Sequence, residues 1–446
     1  MSKSVSRTNG YPLRHDLSLT LLPINQLTPL GRETRRHSKQ QIRKLAASLN
    51  EYGLVFPILV DAQRRVIAGW GLVAAAQQIG LVEVPTVTIS DLTEVQLRSL
   101  RLALNRLCED ASWDDQALRL EFSDLITLDP QVDLQMTGFA MGQIDSLLSS
   151  AEDEEDDLSE MHADPITKPG DMWILGEQRV FCADATQAGS FVRLLKDEQA
   201  QTVFADPPYN VPINGNVSGL GRVTHGEFAM ASGEMSADEF EAFLATIFMH
   251  LIQHTANGSI HFVCIDWRGI GPLLAAARLK YTEVKNVCVW NKSNAGMGSL
   301  YRSKHELIAV LKNGHAPHVN NVQLGRNGRT RSNVWDYPSQ NTWSNSSKGK
   351  LLLHPTVKPV ALIADAIRDC SNMHDIILDP FGGAGTTLIA AERTMRRARL
   401  IEIEPRYVDV TVRRWQHVTG KTAVHADTGA SFGCHRTETL EGINGG

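Results

Sequence analysis

The sequence predicts an α/β fold built on an open sheet, because two polar motifs each follow an apolar run of the kind that forms a buried strand. Asp-Pro-Pro-Tyr at 206–209 follows the run 202–205, and Asp-Pro-Phe-Gly-Gly-Ala-Gly-Thr-Thr at 379–387 follows the run 376–378. Open α/β sheets hold their ligands where strands end in such turns. The motifs therefore predict one hollow at two neighbouring strand ends, with a planar base on one side and a nucleotide-like cofactor on the other.

The amino-terminal part of the chain predicts a small α+β unit over residues 16–110. Ile42, Leu45, Ala46 and Leu49 have the spacing of one helical face, and Gly53 ends that helix. Similar patterns predict helices at 38–52, 72–79 and 94–107 and strands at 56–60, 65–68 and 84–89. Residues 1–15 are expected to form a disordered tail.

The middle of the chain predicts a helical extension followed by a linker. Residues 111–150 favour helices at 116–128 and 141–148. Residues 151–160 hold seven acids and no base, so 151–168 predicts an acidic linker with little to pack. These acids account for the negative net charge of −6. The segment 285–358 is nevertheless basic, because it holds eleven Lys and Arg residues and two acids. Such a segment favours contact with a polyanion, and its alternative is a solvated basic loop.

Residues 169–420 predict the larger α/β unit. A Ser-Ala-Asp-Glu capping box at 236–239 opens a helix, and 210–233 is rich in glycine and predicts a mobile loop over a site. Apolar runs predict strands at 173–175, 179–182, 203–205, 260–264, 284–290, 305–311, 376–378 and 398–403. Helical spacing appears at 360–367, 386–392 and 407–418. Residues 421–446 are expected to be a disordered tail.

Composition excludes several other classes of protein. No apolar run approaches the length of a membrane span, and the first residues lack the apolar core of a signal peptide. The six cysteines form neither a Cys-x-x-Cys pair nor a Cys/His metal pattern. The expectation is therefore a reduced, cytoplasmic protein without a metal site.

The motif at 206–209 has the groups needed to activate an exocyclic amino group. Such a nitrogen is a poor nucleophile, because its lone pair is delocalised into the base. Asp206 and the backbone carbonyl of Pro207 can accept its two hydrogens, and the rigid Pro207-Pro208 pair holds these acceptors in place. Tyr209 can stack on the base. In duplex DNA the base must first leave the helix to reach such a pocket. A plain turn at a strand end is the structural alternative.

The motif at 379–387 favours a nucleotide-like cofactor. Gly382, Gly383 and Gly385 allow close approach of the backbone to a ligand, and a helix begins near Thr386. Asp379 can meet a charged amino-acid group. The next strand ends near Glu402, at a spacing that suits a ribose diol. The chain lacks Gly-x-Gly-x-x-Gly, which weakens a nicotinamide interpretation, and it lacks the Pro-Cys pair of a cysteine-nucleophile mechanism at cytosine C5.

These motifs give residues 169–420 a resemblance to S-adenosylmethionine-dependent DNA amino-methyltransferases, in the permuted order of the beta class. Matching stretches also occur at 170–186, 290–292, 305–306 and 354–359. The resemblance implies a Rossmann-like methyltransferase sheet with helices on both faces and catalysis by residues 206–209. It assigns cofactor binding to Asp184, Thr356, Lys358, Asp379, Phe381, Gly382, Gly383, Gly385, Thr386 and Glu402.

Residues 19–107 resemble the amino-terminal domain of the ParB/sulfiredoxin superfamily, through the run 66–75 and Val84-Pro85. Trp70, Gly71 and Leu72 replace the polar or basic residues that the family usually carries after its glycine, so nucleotide binding does not follow from the resemblance. No cysteine lies in this loop, which argues against sulfiredoxin chemistry. The fusion of the two units resembles methylases often carried by prophages.

The resulting hypothesis is a methyltransferase that acts on the N6 amino group of adenine in double-stranded DNA. Residues 294–350 are expected to recognise the target. The candidate DNA contacts are Lys292, Arg302, Lys304, Arg326, Arg329 and Arg331. Methylation of cytosine N4 uses the same geometry and remains an alternative, as does a ParB-like DNA-binding protein without catalytic activity. A homodimer is left open.

Overall fold

The computed structural model describes residues 6–8, 11–13, 17–32, 34–148, 164–210, 234–293, 300–322, 331–338 and 358–433. The chain divides into two compact units, residues 1–140 and 141–446. Several predicted segments lie partly outside the described residues: 211–233 of the mobile loop at 210–233, 151–163 of the acidic linker, and 294–299, 323–330 and 339–350 of the target-recognition segment. No helix within the described residues combines the length and apolar character needed to cross a bilayer.

The first unit is an α+β domain, as predicted. Its five-stranded mixed sheet has the order β3-β7-β5-β6-β4, and a short hairpin β1-β2 precedes it. The hairpin lies within residues 1–15, so the prediction of a disordered tail is wrong for residues 6–8 and 11–13. The strands are β1 (Ser6–Thr8), β2 (Tyr11–Leu13), β3 (Leu19–Pro23), β4 (Thr28–Pro29), β5 (Ile58–Asp61), β6 (Arg65–Ala68) and β7 (Glu83–Ile89). The helices are α1 (Lys39–Tyr52), α2 (Trp70–Gln78), α3 (Glu94–Leu107) and α4 (Asp115–Leu128).

Local sequence explains where these helices begin. The side chain of Ser38 caps α1 by accepting from the amide of Gln41. Thr93 and Gln96 form a reciprocal capping box at the start of α3. Gly69 caps α2 with a φ of +99°, which a side chain would disfavour. The predicted strand at 56–60 begins two residues later, at Ile58, because Phe56 is exposed rather than part of the sheet.

The second unit contains a sheet of ten strands in the order β14-β12-β13-β11-β10-β15-β16-β9-β8-β17. Its strands are β8 (Met172–Leu175), β9 (Gln178–Cys182), β10 (Ala200–Ala205), β11 (Thr255–Ile265), β12 (Glu283–Asn291), β13 (His305–Lys312), β14 (Val334–Asp336), β15 (Ile376–Asp379), β16 (Arg397–Glu402) and β17 (Val424–His425). The helices are α5 (Met141–Leu148), α6 (Ala188–Leu195), α7 (Ala237–Gln253), α8 (Ile270–Lys280), α9 (Val360–Cys370), α10 (Thr386–Arg393) and α11 (Pro405–Thr419).

The centre of this sheet is parallel and its flanks are antiparallel. Strands β11, β10, β15, β16 and β9 run in one direction, whereas β13 runs against β11 and β12. Successive strand residues enter different cores: Val203 and Ala205 face one layer of helices, and Phe204 faces the other. Helices therefore cover both faces, which confirms the predicted Rossmann-like sheet.

In the second unit, the helices α6 and α8 and the strands β14 and β17 were not predicted from the sequence. Helices α6 and α8 fill crossover connections of the sheet, and β14 extends its edge beside β12. Helix α6 has eight residues and β14 has three, so each offers only a short stretch of sequence in which a pattern can be recognised. The main predicted strands and the helices α7, α9, α10 and α11 are present.

The prediction of a disordered tail from residue 421 is wrong for residues 421–433. Strand β17 pairs antiparallel with β8 and closes that end of the sheet. Ala423 is fully buried, and the ring of Phe432 packs edge-on against Trp173 at a centroid distance of 5.0 Å. A two-residue strand with a distant partner leaves no periodic pattern in the sequence, which explains the error.

The last residues of the predicted linker are also ordered. Thr167 is buried, and its amide and hydroxyl both bond the carboxylate of Asp409 at 3.0 Å and 2.6 Å. Helix α5 belongs to the second unit as well, because Asp145 forms a fully buried two-point ion pair with Arg396 at 2.8 Å and 3.0 Å.

Candidate active site

The two polar motifs lie on adjacent parallel strands, as the sequence predicts. Strand β10 pairs with β15 through Thr202 opposite Ile377 and Val203 opposite Leu378. Asp206 follows the end of β10, and Asp379 is the last residue of β15. Because the strands are parallel, both turns leave the same edge of the sheet.

Asp206 is held by a buried lysine and a tyrosine. The Nζ of Lys358 donates to Oδ2 of Asp206 at 2.6 Å, and the hydroxyl of Tyr209 donates to Oδ1 at 2.6 Å. Lys358 is 3% exposed, whereas the side chain of Asp206 is 26% exposed. The carboxylate therefore reaches the surface of the hollow while its charge partner lies beneath it.

Glu306 of β13 completes this network. Its Oε2 lies 3.0 Å from Nζ of Lys358 and 3.1 Å from the hydroxyl of Tyr209, and its Oε1 accepts from Lys292. The ammonium of Lys292 also lies 4.7 Å from the ring centroid of Trp290. Two carboxylates thus alternate with two ammonium groups, so the formal charges of the cluster cancel.

The two carboxylates of this cluster differ in how readily they take a proton. Burial raises the pKa of Asp206 above its ordinary value, although the charge of Lys358 opposes that rise. Burial also acts to raise the pKa of Glu306, but the charges of Lys358 and Lys292 outweigh it and lower that pKa to about 2. Glu306 therefore stays ionised, and Asp206 is the carboxylate of the pair that can accept a proton.

The residues on either side of Asp206 fix its turn. Pro207 is buried, and Asn210 adopts a φ of +56°. The side-chain amide of Asn210 bonds the backbone of Met235 twice, donating to its oxygen at 2.7 Å and accepting from its nitrogen at 3.1 Å. These bonds join the two described ends of the segment 211–233, next to the catalytic motif.

Asp379 is held by neutral donors instead of a cation. Its Oδ1 accepts from the amide of Phe381 at 2.9 Å, and its Oδ2 accepts from the hydroxyl of Thr387 at 2.5 Å. No lysine or arginine of the described residues forms a salt bridge with it. Burial raises the pKa of Asp379 to about 7, against the two hydrogen bonds.

The glycine turn is tied to the next strand by Glu402. The Oε2 of Glu402 accepts from the amide of Gly383 at 2.7 Å, and its Oε1 accepts from the amide of Glu404 at 2.8 Å. Gly385 has a φ of +77°, and a Cβ there would lie 2.6 Å from Thr411. The turn is therefore a tightly packed backbone cradle, bounded by Asp379 and Glu402.

The other predicted cofactor residues differ in their positions and hydrogen-bond partners. Asp184 follows β9, which is parallel to β16, and its Oδ1 accepts from both the amide and the hydroxyl of Thr186 at 2.8 Å. Thr386 begins α10 and contacts Arg414. Lys358, assigned to the cofactor carboxylate, is instead bonded to Asp206 and Glu306. Thr356 lies outside the described residues.

Arg331 is not available as a DNA contact. It donates to Asp365 and to the hydroxyl of Tyr337 at 2.9 Å each, lies 3.0 Å from Asp369, and its side chain is only 16% exposed. Lys292 is likewise engaged with Glu306. The sequence of a short polar segment does not reveal which of its arginines pack against a helix. The sequence therefore could not distinguish Arg331, which is bonded within the protein, from arginines exposed on the surface.

The remaining predicted DNA contacts differ in location. Arg302 and Lys304 are exposed in the segment before β13, at the edge that carries Asp206. Arg326 and Arg329 lie outside the described residues.

Glu306 was not among the predicted site residues. The sequence offered one indication, since Glu306 is one of two acids in the basic segment 285–358 and lies within an apolar strand pattern. A carboxylate in that position needs a buried cation, and Lys358 fills this role.

Two family models match the chain. Residues 200–413 match the N6/N4 DNA methylase family, and residues 116–169 match the helix-turn-helix domain of ParB-methyltransferases. The first range spans the strands that carry Asp206, Glu306 and Asp379. The second begins in the predicted helical extension and ends in the predicted linker.

Three individual proteins are each similar to one part of the chain. The chain is 28% identical to the type II methyltransferase M2.MboI of Moraxella bovis over 239 residues, which are 51% of this chain and 85% of that protein. It is 28% identical to the type II methyltransferase M2.DpnII of Streptococcus pneumoniae over 245 residues, which are 50% of this chain and 85% of that protein. The ParB-like nuclease domain-containing protein YnaK of Escherichia coli (strain K12) is 34% identical to the chain over 80 residues. These residues are 18% of this chain and 92% of that protein.

Proposed function

We propose that this chain methylates the N6 amino group of adenine in DNA. It carries a DNA methylase domain of the N6/N4 family preceded by a ParB-like domain, and it is therefore an S-adenosylmethionine-dependent DNA methyltransferase. The observation that carries this proposal is the position of Asp206. A carboxylate that a buried ammonium holds in place lies on the same sheet edge as a glycine cradle.

Asp206 and the backbone of Pro207 would orient the attacking nitrogen. An amino group that donates its two hydrogens to these acceptors turns its lone pair out of the plane of the base. Lys358 and the hydroxyl of Tyr209 each hold one oxygen of Asp206, which fixes the carboxylate before substrate arrives. One face of the Tyr209 ring lies toward Lys358, whose Nζ is 5.4 Å from the ring centroid. The other face can stack on the extruded base.

Asp206 would also receive the proton that the reaction releases. S-adenosylmethionine supplies an electrophilic methyl group on a sulfonium sulfur. When the amino nitrogen bonds to that methyl carbon, the carbon–sulfur bond would break and leave a neutral thioether. The nitrogen would then carry the positive charge and must lose a proton. The raised pKa of Asp206 suits this role better than that of Glu306, which two cations keep ionised.

The cradle between Asp379 and Glu402 would hold the cofactor. Asp379 is a buried carboxylate without a cation among the described residues, and a positively charged ligand would supply the missing partner. Backbone amides fix the carboxylate of Glu402 at the rim of the cradle, where it would accept from the hydroxyls of a diol. Phe381, Gly382, Gly383 and Gly385 would bring the backbone close to the ligand, with Thr386 behind them. Asp184 would contact the adenine end, and Thr356 remains a proposed contact.

Adenine is favoured over cytosine by the aspartate before the proline pair. The same geometry serves cytosine N4, so the base is decided by experiment. Expression of the chain in a host free of both modifications, followed by mass spectrometry of digested DNA, should reveal N6-methyladenine. The matched control is Asp206→Ala, which should leave the DNA unmodified. Detection of N4-methylcytosine alone would overturn the choice of base, and an unmodified genome would contradict the activity itself.

Duplex DNA is the proposed partner, which implies a cytoplasmic site of action. The exposed residues Arg302 and Lys304 are proposed to contact its backbone, as are Arg326 and Arg329. The helix-turn-helix match supports a second DNA contact, made by residues 116–169.

A further inference from the structure

Two exposed aromatic side chains stand at the edge of the sheet that carries the catalytic motif. Tyr301 is 84% exposed and Trp267 is 50% exposed. Within the described part of residues 164–433, no other aromatic side chain is comparably exposed. Burial of an aromatic ring is strongly favourable, so two such rings on one edge mark a surface that a partner covers.

The sheet topology brings these residues next to each other and to the active site. Trp267 follows β11, whose last residue, Ile265, pairs with Leu307 of β13. Tyr301 precedes β13 by a few residues, so both rings extend past the same end of two neighbouring strands. Glu306 is the fifth residue after Tyr301, a distance of at most about 18 Å along an extended chain. Glu306 itself contacts Lys358 and Tyr209.

The charges around the rings favour a polyanion as the partner. Arg302 and Lys304 flank Tyr301, and the guanidinium of Arg268 lies 4.8 Å from the ring centroid of Trp267. Asp266 is the acid that faces Arg268, at 3.2 Å. The amide of Lys292 donates to the carbonyl of Lys304 at 2.9 Å, which fastens the base of the segment. An aromatic ring on a segment that is hydrogen-bonded at its base, with cations nearby, can bind a nucleic acid.

We propose that Tyr301 enters the DNA duplex and fills the space that the target base leaves when it moves into the hollow beside Asp206. This inference rests on the proposed function. Extrusion of a base removes its stacking and leaves a gap, and a protein side chain inserted between base steps can replace the lost contacts. Trp267, braced by Arg268, packs against the DNA next to that gap.

The proposal predicts a loss that depends on whether the target base is paired. Two synthetic duplexes carry the recognition site found by sequencing the methylated host genome. In one duplex the target adenine is paired with thymine, and in the other it faces an abasic position. Tyr301→Ala should lower kcat/KM on the paired duplex about tenfold or more, and on the unpaired duplex less than about twofold. Tyr301→Phe, which keeps the ring, should behave like the wild type on both.

Controls separate this role from a structural one. Leu279→Ala removes an exposed apolar side chain from α8 and should change neither rate. Trp267→Ala should raise KM on both duplexes, with a smaller effect on kcat. An equal loss on both duplexes for Tyr301→Ala, or no loss on either, would overturn the proposal. So would a change in oligomeric state for that variant in sedimentation velocity, which would identify a second copy of the chain as the partner. A wild-type chain inactive on both duplexes would count against the methyltransferase assignment instead.

Discussion

Asp206 and Asp379 end neighbouring parallel strands, yet their surroundings differ in one respect. Asp206 has a buried ammonium 2.6 Å away, whereas the hydrogen-bond donors to Asp379 among the described residues are an amide and a hydroxyl. A paired carboxylate is ready to act on a neutral substrate, whereas an unpaired one gains from a cationic ligand. The comparison supports the proposal that the first turn acts on the base and the second binds the charged cofactor.

The largest effect is expected when Lys358 is replaced by methionine. This change leaves Asp206 and Glu306 as neighbouring carboxylates without their shared ammonium, which is 3% exposed. The free energy of unfolding should fall by about 3–5 kcal/mol. Urea denaturation followed by circular dichroism measures it. The double variant Lys358→Met/Glu306→Gln removes one charge of each sign and should recover much of the loss. An unchanged midpoint for the single variant would show that the ammonium does not stabilise the pair.

Replacement of Asp206 by alanine should separate catalysis from cofactor binding. Loss of the acceptor should lower kcat on the order of 10²–10³-fold, the range seen when one preorganised stabilising group is removed. The affinity for S-adenosylmethionine should stay close to that of the wild type, since the cradle lies on the next strand. Isothermal titration and a methyl-transfer assay measure the two quantities. A variant that bound cofactor poorly would erase the distinction between the two turns.

Replacement of Asp379 by asparagine should have the opposite profile. The affinity for S-adenosylmethionine should fall about tenfold, because one ion pair with the ligand is lost. In the wild type, binding should strengthen as the pH rises through about 7, where Asp379 ionises. The asparagine variant should lack this pH dependence, which titrations at several pH values would reveal.

The same carboxylate makes a prediction for the ligand-free protein. Its folded pKa of about 7 lies above the ordinary value of 3.8, so the folded state binds the extra proton between these values. The contribution of Asp379 to stability should therefore decrease as the pH rises from about 4 to about 7. Thermal unfolding of the wild type and of Asp379→Asn compares them. A parallel pH dependence in both proteins would contradict the raised pKa.

The smallest effect concerns the contrast between exposed and paired cations. Lys304→Ala should reduce the slope of log affinity for DNA against log salt by about 1 and leave the fold unchanged. Arg331→Ala should keep that slope and lower stability, because Arg331 is bonded to Asp365 and Tyr337. Fluorescence anisotropy at several salt concentrations tests both. If Arg331→Ala changed the slope as much as Lys304→Ala, its assignment as a structural anchor would be wrong.

Local sequence was sufficient for features that depend on short-range patterns. The capping box at Ser236, the apolar run before Asp206 and the glycines after Asp379 each act within a few residues. Features that depend on distant partners were missed or misassigned. Strand β17, the pairing of Lys358 with Asp206 and the anchoring of Arg331 each join residues that are far apart in the chain.

The sequence by itself determined the α/β class, the two units and the identity of the two chemical motifs, because alternation, helical spacing and turn residues are written locally. Only the tertiary structure decided which charges meet. Lys358 lies 152 residues from Asp206 in the chain, and its ammonium reaches that carboxylate because the folded sheet brings both beside Glu306. Burial makes an unpaired charge costly, so the fold, and not the motif, determines which aspartate carries a cation and which one is left for a ligand.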